Sequence, residues 1–313
     1  MTTTPKHGNT ATNPPASYGR NNCNHPHDSI DCNTDLTMLR IDNLSYSYRR
    51  GVKALDNVSG TLPKGFTLLL GQNGAGKTTL LRLLSGMLYP QEGIIDFEGE
   101  EPRRRTPQFL SRVFFVPDDY QLPLPSIRNL AGAHAPFYPT FDSAMLDDNL
   151  QRFGLTGHER YKNLSLGNKH KSMIAYALSL RTPFLLFDEP ANGLDIAARH
   201  QMRQMMSACV SEEQTVIVAT HSIADLENLY ENLMVLRRGH MPVCMSLESI
   251  MEKLAFVEGY ESAPDALFAL ADGARVRSIV PAGDCPTAID YEVLYTALMS
   301  DRCQEIVKQL NTI

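Results

Sequence analysis

Gly71-Gln72-Asn73-Gly74-Ala75-Gly76-Lys77-Thr78-Thr79 decides the fold of this chain. It fits G-x-x-x-x-G-K-[ST], a loop that wraps phosphate groups. The flanks supply the context that the motif needs. Residues 66–70, Phe-Thr-Leu-Leu-Leu, form a short apolar run that reads as a buried strand. Residues 79–85 place two apolar pairs one turn apart and read as the opening of a helix. Gly71, Gly74 and Gly76 permit positive φ and let backbone N–H groups approach phosphate oxygens. Gln72, Asn73 and Ala75 complete the loop, and the helix start adds partial positive charge. In such a loop Lys77 reaches the β- and γ-phosphates and Thr78 ligates Mg²⁺.

Outward from the loop, short apolar runs recur at residues 113–116, 184–187, 215–219 and 233–236. All four read as strands, and the last three, continuous and apolar, as strands covered on both faces. Shorter strand-like pieces lie at 38–41, 54–62 and 93–97, and residues 126–181 read as mostly helical. The alternation predicts a doubly wound α/β core with a helical insert over about 105–181. Residues 246–313 read as a small α+β appendage: a helix over 246–254, strands near 254–257 and 276–280, and a helix over 291–298. The first 37 residues are rich in Thr, Asn, Pro, Gly and His and are expected to be a disordered polar tail. Cys23, His25, His27 and Cys32 lie in it, at a spacing that fits no zinc-finger pattern. The domain plan is therefore 1–37, 38–245 and 246–313.

Bulk properties bound the function. The chain has 313 residues, 43% of them hydrophobic, enough for one large domain and a small one. A net charge of −6 argues against general affinity for nucleic acid. No apolar run is long enough to span a bilayer, and the N-terminus lacks the apolar core of a secretory signal. Six scattered cysteines do not form a disulfide framework. A soluble intracellular protein is expected.

Three further strings carry chemistry. The strand at 184–187 runs into Asp188-Glu189-Pro190, placing carboxylates at the ligand-binding edge of an open α/β sheet. Asp188 is a candidate Mg²⁺ ligand opposite Thr78, and Glu189 a candidate base for an attacking water. Ser165 and Gly167 stand at a helix start and could accept a phosphate. His221 closely follows the strand at 215–219 and faces the same edge, where it could donate to a γ-phosphate.

Taken together, these strings resemble the ATP-binding subunits of ABC transporters over about residues 38–245, in the family's order. GQNGAGKTT is close to the family's phosphate loop. Leu164-Ser-Leu-Gly-Asn168 stands where the signature LSGGQ belongs, and LLFDEP resembles the Walker B strand with its glutamate. Gly193-Leu194-Asp195 looks like the D-loop, His221 like the switch histidine, and Tyr48 occupies the place of the aromatic that stacks on adenine. Two departures stand out. Leu166 and Asn168 replace glycine and glutamine in the signature, and Asp118 stands where the Q-loop glutamine belongs, with Gln121 as a nearby substitute. A carboxylate at 118 could still meet Mg²⁺ or its water, with charge and a shorter reach. The appendage is similar to those of the exporter-like branch.

The resemblance implies an ATP hydrolase that uses Mg²⁺, with Lys77, Glu189 and His221 as its catalytic residues. It implies a dimer in which Ser165, Gly167 and Asp195 of one subunit face the phosphate loop of the other. It also implies a separate transmembrane permease, docked on the helical insert and the segment after Pro117, and a position on the inner face of the cell membrane. Rival readings are a non-transport ABC ATPase acting on nucleic acid or ribosomes, a weakly hydrolysing regulatory ABC subunit, and a small-molecule kinase. The interval from Lys77 to Ser165 holds no heptad run, which weighs against the chromosome-type members.

Overall fold

The computed structural model describes residues 37–49, 51–221, 229–283 and 287–312. The tail expected over the first 37 residues lies almost wholly outside them, as do Cys23, His25, His27 and Cys32. The first elements are β1 (Thr37–Arg49), β2 (Val52–Pro63), β3 (Gly65–Gly71), α1 (Lys77–Leu84) and β4 (Glu92–Phe97). Then come α2 (Pro107–Leu110), β5 (Val113–Val116), α3 (Ile127–His134), α4 (Ser143–Arg152) and α5 (Leu166–Leu180). They are followed by β6 (Phe184–Asp188), α6 (Ile196–Cys209), β7 (Thr215–Thr220), β8 (Asn232–Arg237) and β9 (His240–Ser246). The chain closes with α7 (Leu247–Met251), β10 (Leu254–Gly259), β11 (Phe268–Asp272), β12 (Arg275–Pro281), α8 (Tyr291–Met299) and α9 (Cys303–Leu310).

The main sheet runs β5-β6-β7-β3-β8-β9, parallel except for β9, which pairs antiparallel with β8. Its interior strands are apolar at every step because each face carries its own core. Leu68 and Leu70 of β3, Leu185 and Phe187 of β6, and Val216 and Val218 of β7 face the cluster under α5 and α6. The intervening Leu69, Leu186 and Ile217 face a second cluster with α1 and the antiparallel sheet β2-β1-β4. Strand side chains alternate faces, so two cores demand an unbroken apolar run. This is the α/β architecture that the phosphate loop and its flanks predict, with the antiparallel sheet packed beside it.

Register sets the site. Leu70 pairs with Thr220, and Asp188 with Ala219. The C-terminal ends of β3, β6 and β7 therefore finish at one edge, where doubly wound sheets bind ligands.

The structure differs from the sequence reading in several places. The strand expected at 113–116 is present as an edge strand of the main sheet, and within the span given to the helical insert the longer helices follow it. The helix expected over 246–254 is only α7: Ser246 caps it by accepting the Ser249 N–H, and Leu254 pairs with Pro281 in the sheet β10-β12-β11. β9, β11 and α9 have no counterpart among the expected elements. Val293, Leu298, Ile306 and Leu310 join the same apolar cluster as α5 and α6. The C-terminal segment thus shares the core of the main sheet.

Candidate functional site

The phosphate loop turns between β3 and α1. The Ala75 N–H donates to Gln72 O at 3.0 Å, closing the turn. Two of the three loop glycines hold the positive φ expected of them: Gly74 at 80° and Gly76, which caps α1, at 109°. They differ in their surroundings. A Cβ on Gly76 would lie 2.7 Å from Ala54 O, whereas one on Gly74 would meet nothing within 4 Å. At Gly74 the backbone conformation alone calls for glycine, and the residue lines the cleft described below. Gly71 differs from the sequence reading, because it is not among the positive-φ residues. A Cβ there would come 2.7 Å from Leu236 O, so close approach is what requires glycine.

Lys77, only 7% exposed, bends back over the loop. Its Nζ donates to Gly71 O at 2.7 Å and lies 3.8 Å from Glu189 Oε1. Thr78 Oγ1 donates to Asp188 Oδ2 at 2.6 Å. Burial pushes the Asp188 carboxyl above the ordinary carboxylate range; the Thr78 hydroxyl opposes this, and the negative charges of Glu189 and Asp118 add to it. Glu189 has φ 49°, a costly conformation for a residue with a side chain, and its N–H is held by Ala219 O at 2.8 Å. Its Oε2 meets His221 Nδ1 at 2.9 Å. One carboxylate therefore spans Lys77 on one side and His221 on the other.

Gln72, Asn73, Gly74, Gly76, Lys77, Thr78, Asp188 and Glu189 line a cleft of about 460 Å³, together with Tyr48, Lys53, Thr79 and Asp118. Three expected members stand back from it. Gly71 and Ala75 are buried beneath the loop, and His221 reaches the cleft through Glu189 rather than lining it. The exposed Tyr48 ring is tied to the loop by its hydroxyl, 3.2 Å from Thr79 Oγ1. Val52 and Ala54, which also line the cleft, escape a sequence reading because nothing in their types marks them. Asp118 is fastened from two directions: its Oδ1 accepts from Asn192 Nδ2 at 2.8 Å, and its carbonyl faces His170 Nε2 at 3.1 Å. Facing a carbonyl, that nitrogen must carry the proton. Gln121 lies outside the cleft and donates to Asp119 Oδ1 at 3.3 Å.

The remaining sequence candidates occupy a different surface. Ser165 is exposed; its Oγ caps α5 by accepting Asn168 N–H at 3.3 Å. Asp195 caps α6 by accepting Ala198 N–H at 2.7 Å. Gly167 packs so closely on the turn before Asp195 that a Cβ would lie 2.7 Å from Gly193 O. None of Ser165, Gly167 and Asp195 lines the cleft of their own chain.

The donor set suits a small hard cation. Thr78, Asp188 and Asp118 offer only oxygen, and hard divalent ions prefer oxygen. Among the described residues no group of three acidic, imidazole or thiol side chains could hold an ion by itself. Mg²⁺ takes one or two carboxylates and completes its shell with water and substrate phosphates. No helix among the described residues is long and apolar enough to cross a membrane.

Comparison with known proteins places this geometry. The family model described as ABC transporter matches residues 55–192. The chain is 28% identical over 211 residues to the ABC transporter ATP-binding protein YtrB of Bacillus subtilis, covering 65% of this chain and 70% of that protein. It is 31% identical over 199 residues to the lantibiotic transport ATP-binding protein SrtF of Streptococcus pyogenes, covering 61% of this chain and 83% of that protein. A solved structure described as the ATP binding subunit of an ABC transporter superposes with a TM-score of 0.61 at 24% identity, covering 68% of this chain and 92% of that one, and shares its fold. The chain belongs to the ABC transporter family, among its ATP-binding proteins.

Proposed function

We propose that this chain is the ATP-hydrolysing subunit of an ABC transporter, working as a dimer beneath a separate membrane permease on the cytoplasmic side. The observation that carries the reading is the convergence of Lys77, the Thr78–Asp188 pair and Glu189, with His221 behind it, on one cleft. Lys77 and the loop N–H groups from Gly71 to Thr79 bind the phosphates, and Tyr48 offers a face for the base. Thr78 and Asp188, with Asp118 beside them, would hold Mg²⁺, which supplies charge neutralisation on the phosphates when bound. Glu189 orients the attacking water and takes its proton, while His221 fixes the carboxylate. Asp118 takes the Q-loop glutamine's place with a carboxylate braced by Asn192.

Dimerisation is supported by what the cleft lacks. Ser165, Gly167 and Asp195 sit on a separate surface, Ser165 and Asp195 exposed on it, so a second subunit is needed to bring them to the phosphates. Neither a kinase nor a ribosome- or DNA-directed reading explains that second surface better. The test is complementation. Lys77→Ala and Ser165→Arg proteins are each expected to lose ATP hydrolysis. Mixed in equal amounts, they form heterodimers with one intact site and recover roughly a quarter of the wild-type rate by random pairing. A mixture as inactive as its components would rule out the shared site.

A further inference from the structure

Part of the cleft's lining is the tip of a hairpin. Tyr48, near the end of β1, and Val52, Lys53 and Ala54, at the start of β2, all face into the cleft. Most of β1 has a third strand beside it, because β4 pairs with it from Leu39–Phe97 to Ser45–Glu92. That pairing stops short of Tyr48. Among the described residues the tip is therefore a two-stranded ribbon, which is marginal by itself. The β1–β2 register also shifts between Tyr46 and Ser47 and again between Ser47 and Arg49. An aromatic ring meant to present a flat face to a ligand sits here on the least supported part of its sheet.

Gln91, just before β4, stands in for the missing strand. Its backbone N–H donates to Ser45 O at 3.2 Å. Its side chain then continues along β1: Oε1 accepts the Ser47 N–H at 2.9 Å, and Nε2 donates to Ser47 O at 2.9 Å. Facing residues of antiparallel strands exchange the same two bonds; here a side-chain amide replaces the partner's peptide group. Only glutamine and asparagine present a donor and an acceptor from one amide, and asparagine is a methylene shorter. Glutamate offers no donor for Ser47 O. The added rung adjoins Tyr48. Tyr46 and Tyr48 flank Ser47, and their rings meet edge-on, 5.1 Å apart at 87°. Tyr46 is half-buried and packs on the cluster that holds Leu44 and Leu55. Tyr48 itself is 55% exposed, so packing alone does not hold its ring. It is held at its edge by Tyr46, at its hydroxyl by Thr79 and through its neighbour's backbone by Gln91.

We infer that Gln91 is a positioning residue for the nucleotide base: its amide fixes the backbone at Ser47 and with it the plane of the Tyr48 ring. The inference rests on the proposed role of Tyr48 and names what sets its geometry. Gln91 is exposed and does not line the cleft, so its truncation leaves the core and the phosphate loop whole. Removing an aromatic that stacks on a base typically costs about fivefold to a hundredfold in affinity, and loosening one costs part of that. Calorimetric titration of the full chain with ATP and with inorganic tripolyphosphate, each with Mg²⁺, is the test, on wild type, Gln91→Ala, Tyr48→Ala and the double variant. Gln91→Ala is expected to weaken ATP about threefold and to leave tripolyphosphate, which has no base, unchanged. Phosphate release at saturating ATP stays within about twofold of wild type, because the reacting groups are untouched. In the Tyr48→Ala background the same truncation is expected to cost nothing further, since it acts through that ring. ATP affinity in Gln91→Ala equal to wild type overturns the inference. So does an equal loss for ATP and tripolyphosphate, or a loss that persists without Tyr48; either would mean that Gln91 supports the fold or the phosphate loop instead. Tyr48→Ala binding ATP as wild type does would overturn both the role of Tyr48 and the inference built on it. A wild-type chain that binds tripolyphosphate and ATP equally would do the same, and one that binds neither would sink the ATPase reading itself.

Discussion

Glu189→Gln separates binding from chemistry at this site, and the structure sets its size. Glutamine keeps the shape of the side chain, and its amide oxygen can still meet His221 Nδ1, now 2.9 Å from Glu189 Oε2. Two things are lost. The first is a proton acceptor for water, a role typically worth about 10²–10⁴ in rate, or about 2.7–5.4 kcal/mol of barrier. The second is the charge facing Lys77 Nζ at 3.8 Å. At an effective dielectric of about 20 that contact is worth about 4 kcal/mol before desolvation, and about 1 kcal/mol is a reasonable net for a pair this well buried. In the free protein Glu189 competes with phosphate for Lys77, so its neutralisation should tighten ATP binding by up to about fivefold. The assays are phosphate release at saturating ATP and titration with a fluorescent ATP analogue, both on the full chain. Turnover down by at least about a hundredfold, with affinity equal or better, is the expected result. Turnover within about threefold of wild type would refute the role of Glu189. A loss of affinity as large as the loss of rate would refute the competition for Lys77.

Asp188 yields a pH prediction with a definite sign. Its folded-state value is raised, mainly by burial, so the folded protein holds that proton more tightly than the unfolded chain. The stability this brings is fully present below the ordinary aspartate value and is lost as pH rises through the raised one. In chelator at about pH 7, Asp188→Asn should therefore melt above wild type, and the difference should vanish in acid, while Mg²⁺-dependent stabilisation by ATP disappears. A thermal melt showing the variant below wild type at neutral pH contradicts the burial argument. Tyr176 offers a test of the core: its hydroxyl is fully buried with no hydrogen-bond partner among the described residues, and its ring packs edge-on to Phe114 at 5.6 Å. Tyr176→Phe should raise stability by about 1 kcal/mol in urea denaturation, because an unmet polar group is removed and the packing stays. Destabilisation of that size would mean the hydroxyl has a partner after all.

Much of this protein is legible because its strands announce themselves. β3, β6, β7 and β8 are almost continuously apolar, being covered on both faces, and no helix period competes with that pattern. β9 escapes because it is an edge strand and carries Pro242, tolerated there since an edge N–H needs no partner. β11, Phe-Ala-Leu-Ala-Asp, has an alanine-rich composition closer to a helix; pairing with β12 makes it a strand. The helix expected over 246–254 is overextended because periodicity cannot tell its last apolar residues from the first of β10.

The site divides along the same line. Lys77, Asp188, Glu189 and His221 are readable one by one, since each ends or follows a core strand or opens the helix after it. Parallel pairing then guarantees that they meet at one sheet edge, so local sequence determines the cleft. Even within the loop the motif is silent on why each glycine is needed. Gly74 is fixed by its own backbone conformation, whereas Gly71 is fixed by Leu236, a neighbour brought by the pairing of β3 with β8. Only the folded chain shows that Asn192 reaches back 74 residues to hold Asp118, or that His170 holds the same residue from α5. It also shows Ser165 and Asp195 turned to another surface. Periodicity and motif spacing report neighbours along the chain. Contacts between distant segments depend on how the helices over the sheet are aimed, and packing sets that aim.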